Sequence, residues 1–230
     1  MPQKSVNRKK HICENMNFAV HEAFKKMRTN TIIALHPNND CKVVGITSAQ
    51  PGEGKSTCAI NLAYTFSELN KKVLLIDADL RRPSIGEKLA VTGEVGFGDL
   101  LNDVDEVLSA VVPYMSKTGS FDVIGSKTGD NASELLSSPR FSALLDVLKK
   151  AYDYILIDLP PIDAVIDAVI VGKHTDGMII IAREHETLQK QFDNCIKQLR
   201  FADIKILGLV FNGSLERTKK YYKNGYGYRY

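Results

Sequence analysis

Short, nearly unbroken apolar runs punctuate this chain, and between them apolar residues recur every three to four positions. The runs are Val43-Val44-Gly45-Ile46, Val73-Leu74-Leu75-Ile76, Phe121-Asp122-Val123-Ile124, Tyr154-Ile155-Leu156-Ile157, and residues 177–182 and 204–211. Runs without polar alternation suit strands of a parallel sheet covered on both faces. Helical spacing predicts a long helix over residues 15–35, carried by Met16, Val20, Ala23, Phe24 and Met27, and ended by the turn chemistry of residues 36–40. Further helices are predicted over 59–69, 132–137, 140–150 and 187–201, with Pro139 dividing the second from the third. Residues 84–120 are the least legible. Gly93, Gly96 and Gly98 read there as a turn before a short helix at 99–101, because no apolar strand precedes them. Strands alternating with helices predict an α/β fold with a doubly wound, mostly parallel sheet. Residues 1–40 read as an N-terminal arm and helix, 41–214 as one domain and 215–230 as a flexible tail, residues 1–13 being a flexible arm themselves.

The first strand runs into the stretch Val-Val-Gly-Ile-Thr-Ser-Ala-Gln-Pro-Gly-Glu-Gly-Lys-Ser-Thr, residues 43–57. Strand, glycine-bearing loop, Lys-Ser and helix is the layout of a phosphate-binding loop, so the domain is expected to be of the P-loop NTPase type. Amides of Gln50, Pro51's successor Gly52, Glu53, Gly54, Lys55, Ser56 and Thr57 would line the anion site at a helix start. Lys55 would reach the β- and γ-phosphates, and the Ser56 hydroxyl would ligate Mg²⁺. The strict pattern has Gly where this chain has Ala49.

Acids close two of the apolar runs, at the strand ends where open α/β sheets bind ligands. Asp158 follows Ile-Leu-Ile in the manner of a Walker B aspartate that holds Mg²⁺. Asp77 and Asp79 are one residue apart and so share a side in extended chain. Mg²⁺ beside Asp77 would relieve their repulsion and leave Asp79 to orient a hydroxyl or accept its proton. The alternative is that a strand-end acid caps the following helix, which is open for one of the three. Together with Lys55 and Ser56 they predict an ATP·Mg²⁺ site.

Composition narrows the setting. Net charge is +3 over 230 residues, too small to argue for nucleic acid, although both ends are basic. Cys13, Cys41, Cys58 and Cys195 are scattered without metal-ligand spacing, consistent with reduced thiols. No apolar run approaches the ~20 residues that span a bilayer, and no leader-like segment follows the start. A cytoplasmic protein is expected. Five of the nine tyrosines, Tyr221, Tyr222, Tyr226, Tyr228 and Tyr230, crowd the last ten residues among glycines and charges that disfavour packing.

The loop Ala-Gln-Pro-Gly-Glu-Gly-Lys-Ser-Thr, the motif Val-Leu-Leu-Ile-Asp-Ala-Asp-Leu-Arg-Arg-Pro and the Walker B segment Ile-Leu-Ile-Asp-Leu-Pro-Pro occur here in that order. Together they resemble the bacterial tyrosine kinases of capsule and exopolysaccharide synthesis, in the Gram-positive form whose kinase domain is a separate chain. The resemblance runs from about Glu22 to the C-terminus. It implies ATP·Mg²⁺-dependent tyrosine phosphorylation, with Lys55, Asp77, Asp79 and Asp158 catalytic, Ser56, Asp77 and Asp158 holding Mg²⁺, Arg81 just beyond the second motif, and Asn212 near adenine. It further implies that the five tail tyrosines are phosphorylated between subunits. Other implied partners are a transmembrane adaptor that recruits the chain to the inner face of the membrane, a cognate tyrosine phosphatase and a homo-oligomeric ring. The ring contact would be Glu22, Lys25 and Arg28, where the family has Arg in place of Lys25; Lys lacks the planar fork that pairs with a carboxylate in two bonds. A partition or septum-positioning ATPase is the rival reading, but that group carries a signature lysine where this chain has Gln50. A non-catalytic module whose ATP site sets assembly state is a second rival.

Overall fold

The computed structural model describes residues 12–36, 40–102 and 107–213. Among these residues seven strands form one sheet: β1 (Lys42–Ser48), β2 (Val73–Asp77), β3 (Val112–Met115), β4 (Ser120–Ile124), β5 (Tyr154–Asp158), β6 (Gly177–Arg183) and β7 (Ile206–Asn212). Their spatial order is β3-β4-β2-β5-β1-β6-β7. Every pairing is parallel except β3 with β4. Alternate residues of the apolar runs feed two separate cores, as the period of a strand requires. Val43, Leu74, Ile76, Ile155 and Ile157 face one side. Val44, Ile46, Leu75 and Leu156 face the other, with α1 (Phe18–Ala34) and α2 (Lys55–Ser67). Short helices α3 (Ile85–Leu89), α4 (Phe97–Leu100), α5 (Val107–Ala110), α6 (Ala132–Ser137) and α8 (Asp167–Gly172), with longer α7 (Pro139–Lys149) and α9 (Gln189–Phe201), complete the layers.

Several expected boundaries shift. The first helix begins at Phe18 because Asn17 caps it, its side chain accepting the Val20 amide at 3.0 Å. Residues 12 and 13 are not a free arm: both are buried, and the Cys13 amide donates to Asn61 Oδ1 on α2 at 2.9 Å. A 3₁₀ turn at Cys13–Asn15 follows. Strand β3 is not among those that the apolar runs predict. Its faces alternate half-buried and exposed, and Pro113 suits it to the sheet edge, where one side needs no amide donor. Pro139 is the first residue of α7, where a missing amide is harmless, and not a spacer before it. The short helix after Gly96 runs from Phe97 to Leu100. The last helix and strand begin at Gln189 and Ile206, each two residues later than the periodicity suggests. Among the described residues, no helix is long and apolar enough to cross a membrane.

Candidate active site

The C-terminal ends of β1, β2 and β5 converge because they are adjacent and parallel. Asp77 and Asp158 are paired residues of β2 and β5, and Ile46 of β1 pairs with Asp158 from the other side. The loop leaving β1 turns through Gly52 (φ +88°) and Gly54 (φ +93°), conformations that favour glycine. Gly54 is also tightly enclosed: a Cβ there would overlap Asn212 Nδ2. α2 then starts at Lys55, so its first amides face the strand ends.

Lys55 Nζ lies 2.9 Å from Asp79 Oδ2 and 3.6 Å from Asp158 Oδ1. Burial alone would lower the Lys55 pKa, but Asp158, Asp79 and Asp77 together raise it, so the ammonium is held charged. Asp158 is wholly buried, and neither oxygen has a hydrogen-bond partner among the described residues. Burial raises its pKa, opposed by Lys55 and by Ser56, whose hydroxyl lies near without closing a bond. Burial, then Asp158, pushes the Asp77 carboxyl up to about 7, against the pull of two backbone amides. Three carboxylates thus crowd one ammonium. Lys88 of α3 is a second cation that the sequence reading missed; burial lowers its pKa, Asp158 opposes this and Lys55 adds to it. A buried carboxylate without a donor among the described residues, beside a serine hydroxyl and further acids, fits a divalent cation, which would satisfy its oxygens.

The expected division of labour between the two acids of the second motif is altered. Asp77 Oδ2 accepts the amides of Ser84 and Ile85 at 2.8 and 2.9 Å, so this acid caps α3, the role left open for one of the three. Its Oδ1 accepts the Asp79 amide at 3.3 Å. Asp79 is not left free: it pairs with Lys55 and accepts the Arg82 amide at 3.0 Å.

The glycine loop is braced from outside. Asn212 Nδ2 donates to the Glu53 carbonyl at 2.9 Å, so its amide group holds the loop. Buried Glu53 turns its carboxylate to the Gln50 amide at 3.1 Å and to the Thr187 hydroxyl. Gln50 Nε2 donates to Asp163 Oδ2, whose other oxygen accepts Asn194, both at 2.9 Å. Arg183 donates to the Gly52 carbonyl at 3.2 Å. Pro51 and Gly52 are exposed, and Thr57 is half-buried in the first turn of α2. Asp163, Thr187, Arg183 and Asn194 carry no local motif; only folding brings them to the loop.

On α1, Glu22 and Lys25 form an exposed pair at 3.0 Å. Arg28 does not share their outward face. Its guanidinium donates to the Thr65 carbonyl and lies 3.7 Å from Glu68, both on the C-terminal end of the α2 region. The three residues therefore do not present one continuous surface. The five tail tyrosines lie outside the described residues.

Comparison with known proteins agrees with this geometry. A ParA family model, described as NUBPL iron-transfer P-loop NTPase, matches residues 40–226. The chain is 37% identical over 206 residues to tyrosine-protein kinase YwqD of Bacillus subtilis, covering 89% of this chain and 85% of that protein. Against tyrosine-protein kinase wzc of Salmonella typhimurium it is 33% identical, over 89% of this chain but 28% of that longer protein. The kinase domain of Escherichia coli tyrosine kinase ETK superposes with a TM-score of 0.82 at 29% identity, over 100% of this chain and 87% of that one. The septum site-determining protein MinD of Pyrococcus horikoshii, solved with Mg-ADP, shares the fold (TM-score 0.62, 23% identity, 77% and 73% covered). A P-loop in ParA-type surroundings, three strand-end acids and this degree of identity place the chain in the bacterial tyrosine-protein kinase family.

Proposed function

We propose that this chain transfers the γ-phosphoryl group of ATP to tyrosine hydroxyls, those of its own C-terminal cluster included, between subunits. The observation that carries the proposal is the Asp158 carboxylate, buried without a donor among the described residues, beside Lys55 and in register with Asp77. Backbone amides of residues 52–57 and the Lys55 ammonium would bind the phosphates, and Ser56 and Asp158, with Asp77 Oδ1, would hold Mg²⁺. Bound there, the cation offsets charge on the β- and γ-phosphate oxygens. The tyrosine oxygen attacks γ-phosphorus, the bond to the β-bridging oxygen breaks, Asp79 takes the phenolic proton, and ADP leaves. Asp79 reaches that role only after Lys55 shifts from it toward phosphate, since the two are paired at 2.9 Å.

Against the switch-ATPase reading stands Gln50, neutral and bonded to Asp163 of the same chain where a signature lysine would reach outward. Beyond catalysis, the reading includes regulation of capsule or exopolysaccharide synthesis and chain length. It also includes recruitment to the cytoplasmic face of the membrane by a transmembrane adaptor, assembly into a ring, and reversal by a tyrosine phosphatase. Each tail phosphate adds about −1.5 to −2 charge, enough for several to invert the basic tail.

The test is incubation with ATP·Mg²⁺, with and without the cytosolic segment of a candidate activator, followed by phosphotyrosine mapping by mass spectrometry. Label on Tyr221, Tyr222, Tyr226, Tyr228 or Tyr230 is expected, and it should vanish when all five are Phe while nucleotide binding persists. No tail modification under any condition would overturn the proposal.

A further inference from the structure

A fully buried carboxylate lies outside the residues assigned above. Asp167 opens α8 and has no exposed surface. Arg81 donates to it through Nε at 2.9 Å and Nη2 at 3.5 Å, and Ser133 of α6 donates its hydroxyl at 2.5 Å. Arg81 Nη2 also donates to that Ser133 oxygen at 3.0 Å, closing a ring of three side chains from three separate segments. A buried acid persists only when charge and hydrogen bonds surround it, and here both do.

Arg81 stands two residues beyond Asp79, within one turn. The Arg82 amide donates to the Asp79 carbonyl at 3.2 Å and to Asp79 Oδ1 at 3.0 Å, so movement of this turn re-aims the Asp79 carboxylate. The same stretch is tied by the Ser126 hydroxyl on the Asp77 carbonyl at 2.5 Å and by the Gly129 amide on the Leu80 carbonyl at 3.1 Å. Those ties are neutral; the one through Arg81 is ionic. The Asp167 bond is the foremost reason that the Arg81 pKa is raised, and Glu134 and Asp79 also lie within its electrostatic reach. Released from Asp167, the half-exposed guanidinium would have Glu134 and Asp79 within electrostatic reach, and pairing with Asp79 would compete with Lys55 and with a tyrosine proton.

We propose that Asp167 is a positioning residue for phosphoryl transfer: through Arg81 and Ser133 it fixes the turn that aims Asp79 and keeps the Arg81 guanidinium off it. This deepens the kinase reading and rests on it for the identity of the acceptor.

The experiment uses the full chain carrying Asp167→Asn, alone and combined with Asp79→Asn. Two quantities are read: equilibrium affinity for a fluorescent ATP analogue with Mg²⁺, and the single-turnover rate of phosphate transfer at saturating ATP. A misaimed group costs roughly 10- to 100-fold in rate. The expected result is a loss of that size with affinity within about threefold of wild type. In the Asp79→Asn background, Asp167→Asn should cost little more, because both changes remove the same contribution. Equal fold losses in the two backgrounds, or a loss carried by nucleotide affinity, would overturn the proposal. Where Asp167→Asn shows no cooperative thermal transition, Arg81→Gln takes its place in the cycle, its side chain being partly exposed; an unchanged rate there is equally fatal. Should wild type phosphorylate no tyrosine, the kinase reading fails separately, and the same cycle on the rate of ATP hydrolysis decides the positioning role by the same additivity criterion.

Discussion

Replacing Asp158 by Asn should make the nucleotide-free protein more stable while removing its response to Mg²⁺. Asp158 is buried, neither oxygen has a hydrogen-bond partner among the described residues, and it faces Asp77 across adjacent strands. Burial, and then Asp158 itself, carries the Asp77 carboxyl from an ordinary 3.8 to about 7. A carboxyl raised in the folded state holds a proton that the unfolded chain has released. Stability therefore falls as pH rises from about 4 to about 7, and the full deficit persists above that. The interval is about 4 kcal/mol at about 1.4 kcal/mol per tenfold step. The deficit belongs to the pair and part of it is burial that Asn cannot relieve, so roughly half, about 2 kcal/mol, should return at pH 8. The Asn amide can in addition donate to a neighbouring carboxylate. For a domain of this size about 2–4 °C accompanies each kcal/mol, so the unfolding midpoint should rise by about 4–8 °C. The assay is thermal unfolding in EDTA at about pH 8 and about pH 5.5, repeated with ATP·Mg²⁺ at the higher pH. At the lower pH wild type already carries the shared proton, and the advantage of the variant should shrink to a small fraction. A variant less stable than wild type at pH 8, or a gain that ignores pH, would refute the account of the acid cluster.

Three further outcomes test other parts of the structure. Lys55→Met should abolish tyrosine transfer in a radiolabel assay; it should also lower the unfolding midpoint at pH 8 more than at pH 6, because Asp79 and Asp158 lose their shared cation. Gly54→Ala places a Cβ against Asn212 at a φ of +93°, and should weaken ATP binding at least about tenfold by titration calorimetry, with about 1–3 kcal/mol of strain. Arg28→Ala should cost about 1–3 kcal/mol in urea denaturation by stripping the Thr65 carbonyl and Glu68 of a charged donor, whereas Lys25→Ala, from an exposed pair, should stay within about 0.5 kcal/mol. Equal costs for the two would contradict the inward placement of Arg28.

Much of the nucleotide site is legible along the chain because its parts are local. Loop, lysine, serine and helix start occupy residues 50–57, and Asp77 and Asp158 each directly follow an apolar run that reads as a buried strand. The relation between Asp77 and Asp79 was half legible. Spacing puts them on one side, but which one caps α3 depends on where Ser84 and Ile85 return to the strand end. The edge strand β3 escaped because half-buried alternation over four residues, with a proline inside, leaves little periodic signal.

The order of the apolar runs and the phosphate-loop chemistry were thus determined by sequence, since hydrophobic period and backbone conformational preference act over a few residues. Tertiary structure decided what each charged group touches. Gln50 meets Asp163 across 113 positions, Arg81 meets Asp167 across 86, and Arg28 meets the Thr65 carbonyl across 37. A charged side chain reads the same in sequence whether it is solvated, paired or buried. Its fate is set by burial, which raises the cost of an unpaired charge, and by the chance proximity of a partner that packing of the two cores enforces.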